Sequence, residues 1–137
     1  MLSPGTGSAA RAYHTMDMQG RVASATPHRL IQLMMERALA KIGLASTQIS
    51  EGNLPDKGGN ISDAISIVNA LQASLDASAN ARMAENFDAL YAYMTRRLLE
   101  ANLYNDADKL NEVAGLLREL KEAWDAIADK AGEADHG

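Results

Sequence analysis

"TPHRLIQLMMERALAKIGLAS", Thr26 to Ser46, opens as a helix. The Thr26 hydroxyl can accept from a free N–H of the first turn, and Pro27 suits the first helical position, where its missing N–H costs nothing. From Leu30 to Ala45 the polar residues are Gln32, Glu36, Arg37 and Lys41, and they share no face. At about 100° per residue, Ile31, Met34, Met35, Ala38, Ile42, Ala45 and Ile49 fall in one uncharged arc, which reads as the core face. Leu30, Leu33 and Leu44 fall on the opposite side, among Arg37 and Lys41. Three leucines sharing a second face require an account. Three readings stand: a central helix touching neighbours on two sides, an open groove for an apolar partner segment, or self-association into a structural homodimer.

Working outward, three further helices follow. The spacing of Ile61, Ala64, Val68, Leu71 and Leu75 predicts a helix over about 61–75, after the breakers Gly52, Pro55, Gly58 and Gly59. Met83, Phe87, Leu90, Tyr91, Met94, Leu98 and Ala101 predict another over about 83–103. Asn105 suits a left-handed cap, and Asp106 a new N-cap. Leu110, Val113, Leu117, Leu120, Trp124 and Ile127 predict the last, over about 108–130. Short connections force neighbouring helices to run back along each other. The expectation is an all-α protein: an antiparallel four-helix bundle over 25–130, a flexible N-terminal arm over 1–24 and a disordered tail over 131–137.

Composition agrees. Of the 137 residues 47% are hydrophobic but only 4% aromatic, which favours helices over sheets. There is no cysteine, hence neither disulfide nor thiolate chemistry. No apolar run reaches the roughly 18 residues of a membrane span, and "MLSPGTGSAARAYHTM" lacks an apolar signal region, so a soluble, cytoplasmic protein without membrane insertion is expected. Residues 1–105 balance nine acidic against nine basic side chains, while 106–137 carry nine acidic against four basic. With no basic stripe, nucleic acid is not an expected partner.

Enzyme chemistry finds no foothold. A di-iron bundle needs Glu-x-x-His pairs, and none of His14, His28 and His136 has Glu three residues before it. His28, beside Pro27 and Arg29, reads as a surface residue satisfied by solvent. Glu112, Glu119 and Glu122 read as a solvated face. No catalytic residue, metal or cofactor is expected. Interface chemistry is more visible: Ile65 and Ile67 flank the core stripe of their helix, and Tyr93, Arg97, Glu100 and Tyr104 form a second stripe beside the core one. Tyr and Arg are the types that anchor interfaces; a solvated face with rim tyrosines fits the same spacing.

Three passages resemble one family: "ATPHRLIQLMMERALAKI", "LDASANARMAENFDALYAYMTRRLLEANLYND" and "LNEVAGLLRELKEAW". Leu90-Tyr91-x-Tyr93-Met94, Arg97-Leu98 before Glu100-Ala101-Asn102, and Glu119-Leu120 before Ala123-Trp124 are similar, in order and spacing, to the flagellar secretion chaperones of the FliS family. The likeness runs from about Tyr13 to Trp124. It departs at Arg37, where the family often has Gly, at Met35, where it often has a second aromatic, and in the extra arm "MLSPGTGSAAR". The resemblance implies a bundle that wraps the C-terminal segment of flagellin, which is disordered alone, with the export apparatus or a co-chaperone as further partners. It also implies that Tyr13, in the arm, covers part of the binding surface when flagellin is absent. Read with the second stripes, the expected partner-binding residues are Tyr13, Leu30, Leu33, Leu44, Ile65, Ile67, Tyr93, Arg97 and Tyr104, on a monomer or weak dimer.

Overall fold

The computed structural model describes residues 26–75 and 81–136, with side chains as far as Ile127. The expected arm with Tyr13 lies outside the described residues. Four helices follow in order: α1 (Pro27–Glu51), α2 (Leu54–Ala73), α3 (Ala81–Tyr104) and α4 (Ala107–His136). Thr26 Oγ1 accepts from the Arg29 N–H at 3.1 Å, capping α1 as its sequence implies. At the other end Gly52 turns left-handed (φ 76°), and the Asn53 N–H reaches back to the Gln48 carbonyl at 2.8 Å. Between α3 and α4 the chain reverses at Asn105 (φ 53°), and Asp106 Oδ1 accepts from the Asp108 N–H at 3.0 Å to start α4.

Side-chain bonds between helices fix their direction. Lys41 Nζ meets Asp63 at 3.0 Å, and Gln48 Oε1 accepts from Asn60 at 2.8 Å, so α2 climbs as α1 descends. Lys57–Asn102 and Gln72–Asp88 set α2 antiparallel to α3, and Glu100–Lys109 and Arg97–Glu112 set α3 antiparallel to α4. Gln32–Asp125 and Ser46–Asn111 close the ring between α1 and α4. Each helix therefore packs on two neighbours, as in an antiparallel bundle.

The interior holds Met35, Ala38, Ile42, Ile61, Val68, Leu71, Met94, Leu98, Leu110, Val113 and Leu117. Each fully buried side chain of Leu or Ile size stabilises the bundle by about 1.5–3 kcal/mol. Tyr91 is also buried, and desolvation pushes its phenol up to about 12.

Three expectations are corrected. The helix read from Ile61 begins seven residues earlier, at Leu54, with Pro55 in its first turn and Gly58 and Gly59 inside it. Glycine inside a helix costs about 1 kcal/mol, an amount that burial of Ile61 and Ala64 in the same helix offsets. His28 is not solvated: its ring stacks on Trp124 at 4.2 Å, and its Nε2 is buried without a hydrogen-bond partner among the described residues. Met83 and Ile127, read as core, are exposed instead, at 43% and 38%.

Candidate functional site

The expected contact residues do not share one face. Leu30, Leu33 and Leu44 lie on α1 and Ile67 on α2, Ile65 lies on the flank of α2 nearer α3, and Tyr93, Arg97 and Tyr104 lie on α3 toward α4. Because α1 meets α2 and α3 meets α4, these groups occupy separate edges of the ring. A guest that touched all of them would have to run around the bundle.

Two of the expected contacts are core residues. Leu33 is 5% exposed and Ile67 3%. A helical angle does not say which neighbour stands at it, and Leu33 packs within the buried core cluster. The register of Lys41 on Asp63 brings Leu33 level with the later turns of α2. Leu30 and Ile65 are half-buried against the core. Leu44, by contrast, stands more than half exposed.

On the α3–α4 edge the structure builds a polar network. The Tyr93 hydroxyl donates to Glu112 Oε2 at 2.7 Å, and Arg97 Nε donates to Glu112 Oε1 at 2.6 Å. Arg97 also reaches Glu100 at 3.5 Å, and Lys109 Nζ donates to the same Glu100 oxygen at 2.8 Å. Lys109 lies 5.5 Å above the centre of the Tyr104 ring, and the Arg96 and Arg97 guanidinium groups each lie 5.8 Å from that of Tyr93. The hydrogen bond from Tyr93, then that from Arg97, hold the Glu112 carboxyl below its ordinary value. Lys109 does the same for Glu100. Glu112, read from sequence as a solvated charge, is the hub joining Tyr93 to Arg97.

A second surface was not singled out from sequence. Leu99 and Leu103, one helical turn apart on α3, are 53% and 72% exposed, and Tyr104, on the α4 side of the same last turn, is 67% exposed. Lys57 Nζ donates to the carbonyl and to the side-chain oxygen of Asn102, each at 2.9 Å. That contact lays the first turn of α2 against the last turn of α3, so exposed Leu54 shares this end of the bundle. The i, i+4 spacing of Leu99 and Leu103, away from the core stripe, was the available signal. Several large apolar side chains open on one end of a bundle whose interior is already filled mark a contact surface.

Among the described residues no group of three or more His, Cys, Asp or Glu could hold a metal ion. Among them too, no helix is long and apolar enough to cross a membrane.

The sequence pattern of the family described as "Flagellar protein FliS" matches residues 9–131. The chain is 41% identical over 127 residues to the flagellar secretion chaperone FliS of Salmonella typhimurium, covering 92% of this chain and 94% of the relative. It is 40% identical over 120 residues to the flagellar secretion chaperone FliSB of Pseudomonas aeruginosa, covering 88% and 95%. With FliS of Bacillus subtilis the identity is 31% over 124 residues, covering 90% and 92%. A solved structure described as "Crystal structure of flagellar chaperone from bacteria" superposes with a TM-score of 0.72 at 12% identity, covering 88% of this chain and 98% of that one; it shares the fold.

Proposed function

This chain belongs to the FliS family of flagellar proteins, a family of secretion chaperones, and from that premise we propose that its guest is the C-terminal segment of flagellin. It acts in the cytoplasm, without catalysis or cofactor, by covering that segment before export and so preventing premature polymerisation. The observation that carries the reading is the exposed apolar pair Leu99 and Leu103, one turn apart on α3, a helix whose inward stripe is already filled. Recognition is of the helix-in-groove kind, in which a guest helix sets apolar side chains at i, i+3 or i+4 and i+7 against the host.

The energetics suit a guest that is disordered when free. Ordering it costs about 2–5 kcal/mol or more, while each apolar anchor it buries contributes about 1.5–3 kcal/mol. Several anchors therefore overcome both ordering and the loss of translational freedom. Leu30, Leu44, Ile65, Tyr93, Arg97 and Tyr104 supply contacts around the bundle together with Leu99 and Leu103. Leu33 and Ile67 support those contacts from beneath. Tyr13 guards the surface when the guest is absent, a tethered competitor at high local concentration. The export apparatus or a co-chaperone meets the loaded complex.

The experiment mixes the protein with a synthetic peptide of the flagellin C-terminal region. A one-to-one complex by sedimentation, with more helical circular dichroism than the two parts separately, is the expected result. A tight homodimer that binds no peptide would overturn the proposal in favour of a structural module. Removing residues 1–16 should speed or tighten peptide binding; no change would end the guarding role of Tyr13.

A further inference from the structure

We infer that Lys57 is a positioning residue for the guest surface on α3, acting through Asn102. The inference rests on the proposed binding of flagellin and names how one part of that surface is held. The last carbonyls of a helix have no amide ahead of them, and the last turn frays unless something else donates. At the end of α3 the chain reverses at Asn105, and the Asp106 N–H bonds the Ala101 carbonyl at 3.0 Å. The Asn102 carbonyl is held by Lys57 Nζ, which reaches across from α2 and also binds the Asn102 side-chain oxygen.

A lysine rarely lies buried unless it is paired. Lys57 is 7% exposed and, among the described residues, forms no ion pair with a carboxylate. Its partners are the negative end of the α3 dipole and one amide, which together satisfy two of its three donors. The approach is close: a Cβ on neighbouring Gly58 would stand 3.9 Å from Asn102 Oδ1, in van der Waals contact. Asn102 lies between Leu99 and Leu103 in the chain, and Tyr104 ends the same turn. Pinning Asn102 therefore fixes the relative placement of the exposed anchors before the guest arrives, so less ordering remains to be done on binding.

The test is a double-mutant cycle on peptide binding with Lys57→Met and Leu103→Ala. Lys57→Met keeps the stem and removes the donors. It should weaken flagellin-peptide binding by about fivefold and quicken amide hydrogen exchange at residues 103–106. Combined with Leu103→Ala, its loss should fall well short of the product of the two single losses, because Lys57 acts by placing Leu103. A purely structural lysine would give losses that multiply. If Lys57→Met does not fold, Asn102→Ala, which removes one acceptor, carries the test: faster exchange at 103–106 with weaker binding supports the role, and unchanged binding overturns it. Binding by wild type that Lys57→Met leaves intact overturns the role of Lys57 alone. Wild type that binds no peptide overturns the guest as well.

Discussion

The Trp124 indole N–H donates to the His28 carbonyl at 3.0 Å while its ring lies on the His28 imidazole, 4.2 Å away and tilted by 16°. One side chain of α4 thus holds both the backbone and the ring of the first turn of α1. That turn carries Leu30 on toward the α2 edge, so the contact also sets where the candidate surface begins. Trp124→Phe should lower the unfolding free energy by about 1 kcal/mol through the lost hydrogen bond. Trp124→Ala should lower it by about 3 kcal/mol as the stack goes too. Urea titration followed by far-UV circular dichroism measures both; equal losses would mean that the hydrogen bond, not the stack, carries the contact.

Leu33 and Leu44, which fall together on a helical wheel, should respond in opposite ways. Leu33→Ala should cost about 2–5 kcal/mol, as for a buried leucine elsewhere, and Leu33→Asp should abolish the cooperative fold. Leu44→Asp should change stability by no more than about 0.5 kcal/mol. Thermal unfolding of the purified variants decides. A stable Leu33→Asp protein would return Leu33 to the surface.

Gly52→Ala isolates backbone strain. No atom lies within 4 Å of the added Cβ, so no clash arises, but the left-handed φ of 76° remains. The cost should be about 1–2 kcal/mol, read from the shift in urea midpoint. A neutral result would mean that the α1–α2 connection relaxes to another conformation.

Glu112 should give the protein part of its acid sensitivity. Its carboxyl is held below its ordinary value by the Tyr93 and Arg97 hydrogen bonds. The folded state therefore binds that proton less readily than the unfolded chain, and the contribution is present above the ordinary carboxylate value and lost as pH falls below it. Glu100 and Asp125 shift in the same direction, the first by its bond to Lys109 and the second by its bond to Lys121. Glu112→Gln keeps acceptors and removes charge, so its stability should converge on that of wild type as pH drops from 6 to about 3. Added salt should narrow the difference at pH 6, since the group is exposed. Parallel pH profiles would exclude a depressed Glu112.

Leu103→Asp should leave the circular dichroism and thermal midpoint nearly unchanged and weaken flagellin-peptide binding about tenfold, as loss of an apolar anchor does. Isothermal calorimetry measures it. Unchanged affinity would remove the α3 end from the guest surface, leaving the Leu44 and Tyr93–Arg97 edges.

Periodicity and punctuation alone determined the four helices, their order, the inward stripes and the turn at Asn105-Asp106, because each depends on residues a few positions apart. The family resemblance was equally legible, being carried by short runs in order. Tertiary structure alone decided which outward leucines are covered. A helical wheel gives the angle of a side chain but not which neighbour stands at that angle, or how near. Leu33 and Leu44 share an angle, yet the first is buried and the second, nearer the Gly52-Asn53 connection, is exposed. The glycines at 58 and 59 signalled a loop, but packing of the residues around them continued the helix through both. Lys57 found its partner across 45 positions of chain, at a helix end whose unpaired carbonyl no local pattern announces.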